Sequence, residues 1–381
     1  MIMSGEIVSF IRKLYETDAP IYLHEPQFNG NEKKYVMDAI DSTFVSSVGA
    51  YVDRFEQDFA AYVGMDNAVA CVNGTAALHT ALILANVQQD DEVITQALTF
   101  VATCNAINYQ RAHPVFVDVD KDTMGMSPKA LGNFLDENAE IVEGVCINKN
   151  TGRVIKAVVP MHTFGHPCRI DEIADLCNKW CVVLIEDAAE ALGSSYKGSA
   201  LGTFGDIAAF SFNGNKVITT GGGGIIVSRH SKMIKRAKYL TTTAKVPHPF
   251  EFSHSEVGYN YRMPNLNAAL GCAQLEQTDK YLISKRETAA QYKDFFLNRE
   301  ETFVDEPKGA ESNFWLNAIV LKNRKERDKL LEVVNAEKVM IRPIWSLMNK
   351  LPMFENCQCG LLENSQWLED RVVNLPSSVR L

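Results

Sequence analysis

The rhythm of apolar and polar positions changes twice along the chain. Residues 1–30 begin with a helical apolar pattern in MIMSGEIVSFIRKLYE and continue as an irregular arm through Pro20 and Pro26. Glu32–Ile40 and Tyr51–Tyr62 read as amphipathic helices. From residue 67 short apolar runs take over: Ala68–Val72, Glu92–Gln96, Val115–Val119, Lys156–His162, Val182–Glu186, Ile207–Phe212 and Gly223–Ser228. They mostly lack strict alternation, as strands covered on both faces do. Helical patterns lie between most of them, such as Thr75–Ala85 with Leu78, Ala81, Leu82 and Ala85 on one face. This alternation predicts an α/β fold with a mostly parallel, seven-stranded sheet wrapped by helices. Beyond residue 250 the style shifts again. His248-Pro249-Phe250 reads as a loop, Asn265 to about Phe296 as one long helix, Asn313–Leu321 as a strand and Arg324–Ala336 as a helix. The pattern therefore predicts a large domain over residues 1–250, arm included, and a smaller α+β domain over residues 251–381.

Composition narrows the function classes. The 381 residues suffice for one large and one smaller domain, and 46% are hydrophobic, enough for a sizeable core. A net charge of −9 argues against a nucleic-acid-binding surface. It leaves room for a phosphorylated ligand, because a local site can be positive inside an acidic protein. Among the nine cysteines, neither Cys177-x-x-x-Cys181 nor Cys357-x-Cys359 has a zinc spacing, and Cys71 and Cys146 lie in apolar runs. No metal site is expected, and free thiols fit a reducing compartment. The N-terminus has no long hydrophobic segment of the signal-peptide kind, and no apolar run approaches the roughly 18 residues that span a bilayer. The expectation is a cytoplasmic protein without membrane or nucleic-acid partners.

The chemistry concentrates in Ser211–Gly224, SFNGNKVITTGGGG, at the end of a covered strand. Bound pyridoxal 5'-phosphate (PLP) needs a hydroxyl for its phosphate and an amine to form a Schiff base with its aldehyde, and Ser211 and Lys216 offer both. The competing reading is an exposed lysine followed by a flexible glycine loop. Three other strand ends add weaker signals. Asn73-Gly74-Thr75 opens a helix whose free N–H groups suit a phosphate, or is an ordinary cap. Phe100 is suited to stack on a flat ring, or is core. Ile185-Glu186-Asp187 ends a buried strand in acids, and a carboxylate there is placed to hold a protonated pyridine nitrogen or to cap the next helix. Phosphate turn, aromatic, acid, hydroxyl and lysine follow one another along a single sheet, which is the set a PLP site requires.

The motifs VNGTAALH, TFVATCNAI, PVFVDVD, MHTFGHP, IEDAAEALGS, SFNGNK, TTGGGG and GYNYRMPNLNAALG span almost the whole chain. Together they resemble the DegT/StrS sugar aminotransferases, which have the fold type I PLP architecture. HEP at His24, DSTFVSSVG and TTTAKVPHP further resemble the branch that makes 4-amino-4,6-dideoxy-N-acetylglucosamine nucleotides for bacillosamine and legionaminic acid. The resemblance implies a homodimeric enzyme that moves an amino group from L-glutamate to C4 of a UDP-linked 4-keto-6-deoxy-N-acetylhexosamine. It implies Lys216 as the covalent attachment point, Asp187 as partner of the pyridine nitrogen and Phe100 as the stacking ring. Gly74, Thr75 and Ser211 would hold the phosphate, with Asn260 and Arg262 reaching the partner subunit's site. Glu190 stands near the cofactor's ring hydroxyl where many relatives have Gln or His, and Gly222 stands where many carry Glu. His24 and His162 are candidates for the sugar site or for its supporting core. A sugar dehydratase on the same fold replaces the lysine by histidine, so Lys216 argues against that alternative. A non-catalytic PLP-binding sensor is the other.

Overall fold

The computed structural model describes residues 2–381. Seven strands form the central sheet: β1 (Ala68–Cys71), β2 (Glu92–Gln96), β3 (His113–Val117), β4 (Ile155–Val159), β5 (Val183–Asp187), β6 (Ile207–Ser211) and β7 (Gly224–Val227). Their spatial order is β1-β7-β6-β5-β4-β2-β3. Strand β7 runs antiparallel to both neighbours, and the remaining pairings are parallel. Helices cover both faces, which is why the strands read as continuous apolar runs. Successive side chains of β6 show it: Ile207 and Ala209 pack with Leu78, Leu82 and Ile107, while Ala208 and Phe210 pack with Phe55 and Phe59 on the other face. On that second face Phe59 meets Phe210 edge-on at 5.1 Å between ring centroids.

A four-stranded antiparallel sheet forms the smaller layer, from Thr302–Phe303, Asn317–Val320, Val372–Leu375 and Arg342–Pro343 in that spatial order. Helix Arg324–Ala336 stands where the apolar periodicity puts it. The N-terminal helix Ile2–Tyr15 buries Ile7, Ile11 and Leu14 against Leu330, Val334 and Val339 of the smaller layer. Helix Asn265–Leu275 packs on helices Glu32–Asp41 and Ala50–Val63 of the large one, so tightly that a Cβ on Gly271 would lie 2.8 Å from the Phe55 ring. The long helix expected over residues 265–296 is two helices, Asn265–Leu275 and Thr278–Phe296. At the break Glu276 is drawn sideways into contacts with Asn31, Tyr35 and Arg54. No Gly or Pro marks this interruption in the sequence; tertiary contacts accompany it.

Strands β1, β2, β4, β5 and β6 all end at the same edge of the sheet, and antiparallel β7 begins there. Open α/β sheets place their ligand crevice outside the carboxyl ends of the strands, and the five connections at this edge build the candidate site.

Candidate active site

The strand ends enclose a cavity of about 740 Å³, lined by Gly74, Thr75, Phe100, Asp187, Glu190, Ser211 and Lys216, and by Trp315, Arg342 and Trp345 of the smaller layer. One wall is the N-terminus of helix Gly74–Leu84. Asn73 caps it, its side-chain oxygen accepting the Ala76 N–H at 2.7 Å, while the Gly74 and Thr75 N–H groups have no acceptor in the protein among the described residues. Ser211 stands against this helix end. A Cβ on Gly74 would sit 2.8 Å from Ser211 Cβ and 3.0 Å from its Oγ, so only glycine lets strand and helix approach this closely. Two unpaired N–H groups, a hydroxyl and the positive end of a helix dipole form a cup for a dianionic phosphate.

Lys216 stands on the loop that leaves β6 and returns as β7. The loop closes on itself through Phe212 N–H to Gly223 O at 2.8 Å and Thr220 N–H to Phe212 O at 3.0 Å. The Trp315 indole N–H donates to Asn215 O at 2.6 Å and ties the loop to the smaller layer. Gly224 is forced by contact, since a Cβ there would meet Asn73 O at 2.5 Å. Gly222 is not: an added Cβ would find its nearest neighbour, Val72 O, at 3.9 Å. The Lys216 side chain is only 13% exposed; its Nζ lies 3.2 Å from Glu190 Oε1 and 3.8 Å from the centre of the Trp315 ring.

Asp187 ends β5 with its carboxylate buried. Oδ2 accepts the Thr103 hydroxyl at 2.6 Å and Oδ1 the Ala189 N–H at 3.2 Å. Burial raises its pKa, opposed by the Thr103 and Ala189 donors and by Lys216 and His162. Glu190 is raised in the same way by burial, against Lys216 and the Phe164 N–H. Phe100 precedes helix Val101–Tyr109, is 49% exposed, and has its ring centroid 6.3 Å from that of Trp345 across the cavity mouth.

The remaining predicted residues lie elsewhere. His162 is fully buried and does not line the cavity. Its Nδ1 accepts the Cys168 N–H at 3.3 Å, and its Nε2 lies 3.1 Å from Glu186. Burial lowers its pKa, but Cys168 and Glu186 outweigh that and lift it to about 10. His24 is buried beside Leu23, a cavity-lining residue, and both its ring nitrogens lack a partner. Burial, then Lys285 and Lys216, hold its pKa well below the usual histidine value. Asn260 and Arg262 are not in the cavity wall of their own chain. Their segment runs along the β1 edge, with Tyr261 O accepting the Val72 N–H at 2.8 Å, and Arg262 Nε donates to Asn260 Oδ1 at 3.0 Å. Sequence reasoning missed Thr103 and Trp315. Thr103 follows Phe100 by three residues on the first turn of its helix, a spacing that could have flagged it; Trp315 carries no comparable local signal.

These residues fit the cofactor that the sequence suggests. The amine, the buried carboxylate and the unsatisfied N–H groups occupy three sides of one cavity, matching the aldehyde, ring nitrogen and phosphate of PLP. Comparison with known proteins agrees. The DegT/DnrJ/EryC1/StrS aminotransferase family matches residues 26–381. EpsN of Bacillus subtilis (strain 168), named as a pyridoxal phosphate-dependent aminotransferase, is 39% identical over 88% of this chain and 84% of its own. GDP-perosamine synthase of Escherichia coli O157:H7 is 37% identical over 94% of this chain and 93% of its own. The crystal structure of the aminotransferase TlmJ from Streptoalloteichus hindustanus has the same fold, with a TM-score of 0.85 at 24% identity over 94% of each chain.

Proposed function

The chain belongs to the DegT/DnrJ/EryC1/StrS aminotransferase family, and on that premise we propose that it is a PLP-dependent enzyme moving an amino group from L-glutamate to C4 of a nucleotide-linked 4-keto-6-deoxy sugar. The observation that carries this reading is the convergence of Lys216, Asp187 and the open N-terminus of helix Gly74–Leu84 on one cavity. When bound, PLP supplies an electron-accepting ring and an aldehyde. The chain supplies the rest. Gly74, Thr75 and Ser211 hold the phosphate. Asp187 holds a proton at the ring nitrogen, where a cationic partner offsets the cost of its burial. Phe100 covers the ring. Lys216 Nζ would carry the covalent link and would act as the proton carrier at the reacting carbon.

The sugar we infer is UDP-linked and N-acetylated, the substrate of the bacillosamine and legionaminic acid branch. The motifs at His24, Asp41 and Thr241 support it, as do the cation and indole at the mouth, Arg342 and Trp345, which suit a nucleotide diphosphate. A GDP-linked 4-keto-6-deoxy sugar without the N-acetyl group is the second reading, favoured by the relatives named GDP-perosamine synthase. We also infer a two-fold dimer in which Asn260 and Arg262 complete the partner's site, because Asn260 is exposed, Arg262 is half-buried and neither lines its own cavity. Borohydride reduction of the holoenzyme, followed by peptide mass spectrometry, tests the link; label on any lysine but Lys216 refutes it. Incubation with glutamate and a panel of UDP- and GDP-linked 4-keto sugars, with NMR of the product at C4, separates the two sugar readings. Absence of 2-oxoglutarate release would leave a non-catalytic PLP-binding protein; dehydration of the sugar without amine transfer would point to the dehydratase.

A further inference from the structure

Glu190 is a buried acid with two fixed contacts. One oxygen accepts the Phe164 N–H at 2.9 Å, and the other lies 3.2 Å from Lys216 Nζ. Its backbone is pinned too, the Asn313 side chain donating to Glu190 O at 2.7 Å. The Glu190 side chain is 2% exposed and that of Lys216 13%. An ammonium–carboxylate pair out of water must offset the desolvation of both ions, whereas the neutral amine–acid pair need not. The same contact distance serves both forms.

We propose that Glu190 is the proton acceptor for Lys216: it takes the proton from the free ammonium and returns it, leaving Lys216 as the neutral amine in between. The inference rests on the reading of Lys216 as the reacting amine. One proton crosses the contact from Nζ to Oε1, leaving a neutral amine and a neutral carboxyl, with no change in the pair's total charge. The other titratable groups near this pair do not offer the route. Asp187 turns its carboxylate to Thr103 and Ala189, and His24 makes no hydrogen bond. The Trp315 ring on the other side of Nζ has no basic atom facing it. Glu190 is thus the one acid within hydrogen-bond distance of Lys216 Nζ among the described residues.

The test follows the reactivity of Lys216 in the full-length protein freed of cofactor by incubation with glutamate and dialysis. Formaldehyde with cyanoborohydride is the probe, and the Lys216 peptide is quantified by mass spectrometry as a function of pH. A shared proton keeps the amine fraction constant between the two macroscopic steps of the pair. The labelling rate of the native chain should therefore be flat over about two pH units around neutrality. Glu190→Gln keeps the shape and an acceptor for Phe164 N–H but cannot take the proton, so its rate should rise about tenfold per pH unit through the same range. Glu190→Asp, with the acid withdrawn by one methylene, should behave like the glutamine variant if folded, as circular dichroism will report. A native chain that itself rises tenfold per unit, with an apparent pKa above that of Glu190→Gln, would overturn the proposal and leave Glu190 as a mere counter-ion. Coincident profiles for native and Glu190→Gln would overturn it as well. Failure of the functional reading shows separately, as borohydride label on another lysine.

Discussion

Replacing Thr103 by valine should disable Asp187 without touching the cavity. Thr103 is 1% exposed and absent from the cavity wall, and its hydroxyl donates to Asp187 Oδ2 at 2.6 Å. Valine keeps the branched shape and deletes the donor. Hydrogen bonds to charged groups are worth roughly 1.5–3 kcal/mol, or about one to two pKa units. The direction is fixed by sign: the donor favours the carboxylate, so its loss raises the pKa of Asp187, already raised by burial. In the proposed function Asp187 is ionised to hold the ring proton, so the acid limb of the pH–rate profile should move to higher pH by about one to two units. Within that window the glutamate half-reaction, followed by stopped-flow absorbance of the cofactor, should slow by about ten- to a hundredfold at saturating donor. The donor concentration giving half-saturation should stay where it is, because no cavity contact is lost. Thr103→Ser, which restores the donor, should return the limb. An unmoved acid limb in a valine variant that retains cofactor would refute the argument and show Asp187 insensitive to its hydroxyl partner.

Three further outcomes follow from the geometry. Gly74→Ala places a methyl 2.8 Å from Ser211 Cβ and should weaken PLP binding by about 1–3 kcal/mol, about five- to 150-fold in Kd by equilibrium dialysis, whereas Gly222→Ala, with no neighbour inside 3.9 Å, should bind normally. Lys216→Ala and Asn260→Ala chains, each weakly active, should complement when dissociated and reassembled together, with about a quarter of all sites intact; no recovery in mass-confirmed mixed dimers would place Asn260 outside the partner's site. His166 is fully buried with both nitrogens unpartnered, and burial holds its pKa at about 4. The unfolded chain therefore binds more protons between about pH 6.5 and 4, and stability should fall on acidification by about 1.4 kcal/mol per pH unit from this group, a slope that denaturant titration should find reduced in His166→Phe.

The sheet was legible because strands covered on both faces must be apolar throughout, and six of the seven runs fall within about two residues of the observed strand starts and ends. The sixth run, Ile207–Phe212, ends in the Lys216 loop as read, and helix Arg324–Ala336 has the expected bounds. Long-range packing was not legible. The interruption at Glu276 coincides with contacts to residues 31, 35 and 54, and the N-terminal helix joins the smaller layer through side chains some 300 positions away in sequence. The Glu190–Lys216 contact belongs to the same class. Each residue stood out by its place in a motif, but only the fold sets their atoms 3.2 Å apart.

The two adjacent acids at the end of β5 show where sequence reasoning stops. In a half-exposed strand, alternation would tell which of Glu186 and Asp187 points to which side. Here Leu184 and Ile185 are both core residues, each packed in a different cluster, so the pattern VLIED is apolar on both faces and carries no such information. Resemblance selected Asp187, and the structure supplies the physical difference. Glu186 points to the face of Leu184, where its two oxygens accept the N–H groups of Gly202, Phe204 and Gly205 at 2.7–2.8 Å and lie against His162. Four contacts leave its carboxylate with no lone pair in need of a ligand. Asp187 points the other way, into the cavity, with one hydroxyl and one N–H as its hydrogen-bond donors. A buried carboxylate held by two donors is left wanting a cation, and the acid that the protein under-satisfies is the one the proposed function gives to the cofactor.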